Sequence, residues 1–168
     1  APSYTSLGEI YLNHYEDEKR SAKCFLKAFE IDSSEVTAAW YLVKDFTAKT
    51  DWPRAEMFCK RLIISENSKR RLGNDSWPYR ILGCASLETQ DDAKAVEWFQ
   101  TAIRLNANDT ESWIGLGEAY YGCGRLEAAA KVFRRALESE PEHWVARYLL
   151  AVVAVSYTHL TLPTICSV

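Results

Sequence analysis

Five residues of this chain recur at one fixed offset, and no other feature narrows the available folds as much. Leu82-Gly83, Ala95, Phe99 and Ala102 return 34 residues later as Leu116-Gly117, Ala129, Phe133 and Ala136. A period of this length is too short for an independent core and suits a pair of short helices stacked on copies of itself. Within Thr110–His143, Trp113, Leu116, Gly117 and Tyr120 fall three, one and three residues apart, and Ala129, Phe133 and Ala136 fall four and three apart. Both runs have helical periodicity. Gly122-Cys123-Gly124 separates them as a turn, and Pro141 stops the second helix. Leu126, Ala129, Ala130, Phe133, Ala136 and Leu137 give that second helix one apolar face. Gly83 and Gly117 are expected to let paired helices approach closely, facing Ala95 and Ala129.

The same pattern organises the chain on either side. A first unit, Ala1–Glu35, carries Tyr4, Leu7-Gly8 and Tyr11, then Ser21, Phe25 and Ala28, and runs one residue long, with the extra residue placed near Glu16–Glu18. A second, Val36–Lys69, is degraded: Ala55, Cys59 and Leu62 keep the second-helix slots, but Val43 stands where a glycine is expected. An alternative frame with Trp40 in the aromatic slot costs a one-residue deletion, so the ungapped frame is preferred. Residues 70–75 form an insert. Units three and four are Ser76–Asp109 and Thr110–His143, and residues 144–154 supply the first helix of a fifth. Gly73-Asn74-Asp75-Ser76 reads as a turn, with Ser76 as the N-cap and Pro78 in the first helical turn. Lys69, Arg70 and Arg71 read as a solvated helix end, where cations suit the negative pole of the dipole, ahead of a phosphate contact.

The slots filled by Leu82, Gly83, Ala95, Phe99, Ala102, Trp113, Leu116, Gly117, Tyr120, Ala129, Phe133, Ala136 and Pro141 resemble the tetratricopeptide repeat. The resemblance implies an all-α, right-handed superhelical solenoid of antiparallel helix pairs, a fragment of about four and a half repeats. It also implies a concave groove lined by the outer side of each first helix. Projecting that frame gives Trp40, Lys44, Trp77, Arg80, Glu111, Ile114, Glu118 and Tyr121 as groove residues, suited to an extended peptide or a helix. Trp40 and Trp77 have an equally weighted alternative, packing between units. Repeats that clamp a chaperone's C-terminal carboxylates need a Lys/Asn pair on one first helix. The corresponding pairs here are Thr5/Glu9, Trp40/Lys44, Arg80/Cys84 and Ile114/Glu118, so carboxylate-clamp binding is not expected.

Charge and motif content exclude further classes. A net charge of −3 gives no general attraction to nucleic acid or to an anionic membrane. The sequence has no phosphate loop, no dinucleotide fingerprint, no H-E-x-x-H and no G-x-S-x-G, and its five cysteines form no metal-ligand spacing. No catalytic residue, metal or cofactor is expected. His14 and His143 sit near helix ends and read as surface or capping residues.

One stretch is more particular. Trp77-Pro78-Tyr79-Arg80, Ala95-Val96-Glu97-Trp98-Phe99-Gln100 and Trp113–Tyr120 resemble the tetratricopeptide scaffold subunit of the superkiller complex. That resemblance implies a non-catalytic cytoplasmic scaffold, with the nucleus as the alternative location. Its partners would be a DExH-type RNA helicase and a WD-repeat propeller, feeding the exosome for 3′-to-5′ mRNA decay. A peptide-binding or assembly module of an unrelated complex is the alternative. Val155–Val168, rich in Thr and β-branched residues, departs from the repeat and resembles a translated sequencing adaptor. It is expected to be a non-native, non-helical tail, with the native chain continuing differently after Ala154, so His159 and Cys166 receive no role.

Overall fold

A computed structural model describes residues 2–161, and the described residues are helical with no strand. Nine helices form the antiparallel series: α1 (Pro2–Asn13), α2 (Glu18–Ile31), α3 (Val36–Ala48), α4 (Trp52–Ile64), α6 (Trp77–Glu88), α7 (Asp92–Leu105), α8 (Thr110–Gly122), α9 (Leu126–Ser139) and α10 (Trp144–Thr161). A short additional helix, α5 (Glu66–Leu72), lies between α4 and α6. The chain is thus an all-α solenoid of helical hairpins, each second helix packing on the next first helix.

The turns inside the hairpins show how the sequence punctuates this series. One residue in each adopts a left-handed backbone: Glu16 (φ 51°), Thr50 (φ 56°), Gln90 (φ 58°) and Gly124 (φ 72°). In the first three turns the next residue is an aspartate whose carboxylate caps the following helix. Asp17 accepts from the Arg20 amide, Asp51 from that of Arg54 and Asp91 from that of Lys94. The fourth turn spends its conformational freedom on Gly124, and Arg125 follows without a side-chain cap. The turn amide reaches back five residues in three hairpins, Asp51 to Phe46, Asp91 to Ser86 and Arg125 to Tyr120, but six in the first, Asp17 to Tyr11. The extra residue of the first unit therefore lies between Tyr11 and Asp17, a span that includes Glu16.

Glycines on the first helices face the phenyl rings of the second, a correction to the expected alanines. A Cβ built on Gly8 would lie 2.8 Å from the Phe25 ring, on Gly83 2.7 Å from Phe99, and on Gly117 2.4 Å from Phe133. Gly115 was not singled out by the repeat, yet its Cβ would sit 2.3 Å from Phe99 on the other side. Phe99 is therefore held between Gly83 of its own hairpin and Gly115 of the next first helix. Such contacts leave no room for a methyl group at native packing density. Three buried clusters follow one another along the chain, and Trp113 and Tyr120 pack against both of the later two, joining them.

Two expectations are revised by helix extent. The insert region is not simply a helix end and turn: residues 66–72 wind into α5, with Leu72 buried in the first core cluster. The last helix does not stop at Ala154 but continues to Thr161. No glycine or proline interrupts that run, and Val, Ser, Tyr and Thr cost only a few tenths of a kcal/mol, at most about 0.7, per helical position. Ser156 Oγ donates to the Val152 carbonyl at 3.0 Å and lies 3.3 Å from Tyr121 Oη, which ties the extension to α8. The tail from residue 162 onward, Cys166 included, and the His159 side chain lie outside the described residues.

Candidate functional site

The first helices α6, α8 and α10 stand side by side, and their shared face holds most of the polar and aromatic groups assigned to a groove. Helix α6 starts at Trp77 with Pro78 in its opening turn, where a missing amide costs nothing. Ser76 occupies the N-cap position, but its hydroxyl donates to Asp109 Oδ2 at 2.7 Å in place of capping its own helix. Arg80 Nη1 donates to Asp109 Oδ1 at 3.3 Å, and Ser112 Oγ to Asp109 Oδ2 at 2.8 Å. One carboxylate at the start of α8 thus fastens the start of α6, so Arg80 is held in place and is not a free cation on the groove.

The aromatic candidates separate cleanly. Trp40 is 40% exposed, with Lys44 Nζ 5.0 Å from the ring centroid and Tyr41 edge-on at 5.0 Å. It presents a cation–π pair at the surface. Ala39, in contrast, is fully buried. Trp77 is half-buried against the first core cluster and serves packing. Tyr121 is exposed on α8 and Glu111 is exposed near its start, 3.4 Å from His143 Nε2. His143 Nδ1 also accepts weakly from the Ala146 amide at 3.5 Å, a capping role for α10.

Ile114 is not a groove residue. At 4% exposure it belongs to a core with Phe133, Ala146 and Val153, because α10 packs across that side of α8 and removes it from solvent.

Glu118 is the one candidate at the centre of the arrangement. It lines a cleft of about 450 Å³ with Trp52, Cys84, Leu87, Glu88 and Gln90. It also lines an adjoining, more apolar cleft of about 320 Å³ with Leu87, Tyr121, Phe133, Leu149, Val152 and Val153. Burial, reinforced by the nearby Glu111 carboxylate, raises the Glu118 pKa above the ordinary range. Burial likewise pushes the Cys84 thiol up to about 11, against the opposing pull of Arg80 and with the help of Glu118 and Glu111. A thiol held protonated in this way is no nucleophile at neutral pH. Cys59, fully buried, is displaced upward by desolvation too.

Trp52, Leu87 and Gln90 escaped the sequence reading because it projected only one face of each first helix. Trp52 opens a second helix, beside the turn whose left-handed residue is Thr50. The Asp51 cap and Pro53 that fix it there were a legible signal. The basic cluster of the insert is also partly committed. Arg71 Nη1 donates to Asp32 Oδ2 at 3.1 Å and to the Ser34 carbonyl and hydroxyl at 3.0 Å each, with Glu35 at 3.8 Å. Arg70 stays exposed, and the Lys69 side chain lies outside the described residues. Among the described residues no group of three or more His, Cys, Asp or Glu is placed to hold a metal, and no helix is long and apolar enough to cross a membrane.

Comparison with known proteins matches this architecture. Family models described as "Tetratricopeptide repeat" match residues 79–109 and 110–153. Superkiller protein 3 of Saccharomyces cerevisiae is 43% identical over 152 residues, 90% of this chain and 11% of that protein. Superkiller protein 3 of Schizosaccharomyces pombe is 40% identical over 154 residues, 91% of this chain and 11% of that protein. The chain therefore spans about a tenth of the length of these curated relatives. A crystal structure of YrrB, titled as a TPR protein with an unusual peptide-binding site, superposes with a TM-score of 0.73 at 23% identity, covering 92% of this chain and 76% of that one. With its glycine–phenyl hairpins and its matched repeat models, the chain belongs to the tetratricopeptide-repeat proteins, and it is similar to superkiller protein 3 along nine-tenths of its own length.

Proposed function

We propose that this chain is an internal section of a long, non-catalytic scaffold that organises an RNA helicase and a WD-repeat partner for exosome-mediated 3′-to-5′ mRNA decay in the cytoplasm. The observation that carries the reading is the 43% identity to superkiller protein 3 over 152 residues, which reaches well beyond the residues that any two tetratricopeptide repeats share. The geometry supports the same role. Buried residues are spent on joining hairpin to hairpin, and a single hairpin could not bury its apolar face alone. The two thiols with resolved shifts are displaced toward the unreactive protonated form. Direct RNA contact is disfavoured by the net charge of −3 and by the engagement of Arg71 with Asp32.

The test is affinity capture of the full-length protein carrying this section, from its own cells at native expression. A DExH-type helicase and a WD-repeat protein should co-purify stoichiometrically and stay bound in 0.5 M salt, on the order of a stable assembly's tolerance. Recovery of the long chain without either partner would end the proposal.

A further inference from the structure

The two clefts that meet at Glu118 differ in character, and a single carboxylate forms their boundary. On one side Trp52, Cys84, Glu88 and Gln90 make a polar cleft of about 450 Å³. On the other, Phe133, Leu149, Val152 and Val153 make an apolar cleft of about 320 Å³, with Leu87 lining both. Glu118 is half-buried, and among the described residues no cation forms an ion pair with it. Arg80, whose charge acts on the cleft residue Cys84, is committed to Asp109 at 3.3 Å. Glu88 lines the polar cleft beside it, and Glu111 stands close enough to raise its pKa. A carboxylate partly removed from water, among like charges and without a counter-ion, is unfavourable unless a ligand supplies the missing positive charge.

The geometry points to a docking site for an extended peptide that presents a lysine or arginine to Glu118 and an adjacent aliphatic side chain to the Leu87–Leu149–Val152 cleft. This deepens the scaffold reading and rests on it, by naming the chemistry of one segment that the scaffold captures. The occupant is fixed by charge complementarity: an acidic C-terminal peptide would meet Glu88 and Glu118 in the cleft, whereas a cation relieves both. The apolar cleft next door supplies the area that an exposed ion pair lacks, since such a pair alone contributes little in water. Its lining comes from α6, α8, α9 and α10, so the site exists only when consecutive hairpins are stacked. The occupant is held by shape and charge, with no covalent step.

The test uses the 168-residue chain and three acetylated, amidated heptapeptides, Gly-Leu-Gly-X-Gly-Leu-Gly with X as Lys, Gln or Glu. Binding is followed by NMR titration, with the Trp52 indole and the Leu149 and Val152 methyl groups as reporters. The lysine peptide should bind about tenfold more tightly than the glutamine peptide, a factor worth about 1.4 kcal/mol, and the glutamate peptide more weakly still. Glu118→Gln should abolish the preference for lysine while leaving the glutamine peptide's affinity unchanged. Lys131→Gln, on α9, should alter neither. Equal binding of the three peptides by the native chain, or no shift at these reporters, overturns the site without any variant having to fold. A lysine preference that survives Glu118→Gln overturns the assignment to that carboxylate. Peptide indifference with helicase capture intact removes the docking site and leaves the scaffold. Loss of capture with lysine preference intact removes the scaffold's proposed partners and leaves the site.

Discussion

The hairpin α3–α4 and the hairpin α6–α7 solve one packing problem with opposite choices of residue. In α6–α7 the large residue is on the second helix: Phe99 fills the space that Gly83 and Gly115 vacate on either side. In α3–α4 the corresponding second-helix residue is Cys59, fully buried, and the first-helix residue across from it is Val43, 2% exposed. One 34-residue period back from Gly115 is Ile81, which packs against the same core cluster as Val43 and Cys59. One large and two small residues have been exchanged for one small and two large. Bulk is redistributed from the second helix in α6–α7 to the two flanking first helices in α3–α4, and tolerance of compensated swaps is the usual behaviour of close-packed interiors.

The most severe way to break this comparison is to transplant half of it. Phe99→Cys alone should cost about 3 kcal/mol or more, the range of large-to-small core changes, because Gly83 and Gly115 leave nothing to fill the void. Gly83→Val alone should cost about 1–3 kcal/mol through overpacking against the ring. The double variant should lose less than the sum, with a coupling of about 0.5–3 kcal/mol read from urea unfolding of all four chains. Strict additivity would mean that the two hairpins merely differ, with no compensation between sites.

The next largest effect sharpens the contrast at α8. A Cβ at Gly117 falls 2.4 Å from Phe133, so Gly117→Leu should cost about 1–3 kcal/mol. Phe133 belongs to the core shared with α10, so amide protection should fall in α8, α9 and α10 together. Val43→Leu, in the hairpin that already places a large residue there, should cost less than half as much, about 1 kcal/mol. Equal losses at the two positions would show that the glycine slot of α8 has no special tightness.

How far the sequence disclosed this depends on where each partner sits. The hairpins of α6–α9 were legible because their glycines and phenyl rings fall in one period and their apolar faces have helical spacing. Val43 was recognisable as a departure from the pattern, whereas Cys59 read as keeping its slot, so their reciprocity was hidden, and the third partner, Ile81, lies beyond the insert. Helix α5 went unread because KRRLGND has turn-forming composition and only Leu72 to bury. At the groove, Glu118 and Tyr121 followed from the period. Ile114 did not, because a one-helix projection omits the neighbour that covers it, and Trp52 did not, because it reaches the groove from a second helix.

The regions differ also in how they are fastened, and the smallest expected effect probes that difference. In the regular region Asp109, 10% exposed, collects Ser76, Ser112 and Arg80. At the insert the more exposed Asp32 collects the Ser34 amide at 2.9 Å, the Ser34 hydroxyl at 2.6 Å and Arg71. Arg71 is about half exposed, so Arg71→Ala should cost only about 0.2–1 kcal/mol and loosen α5 alone. The hydrogen bonds from Ser34, followed by Arg71, hold the Asp32 carboxyl below its ordinary pKa of 3.8. Because the folded-state value is the lower one, the stabilisation is complete above the unfolded pKa of about 3.9 and fades as pH falls through the folded value. Urea midpoints of the native chain and of Asp32→Asn should therefore be furthest apart at pH 6–7, a range well above about 3.9, and converge as the pH drops below it. A gap that stayed constant down to strong acid would place the contribution of Asp32 in its shape and not in its charge, and the insert would then be fastened by Leu72 packing rather than by the Arg71 clasp.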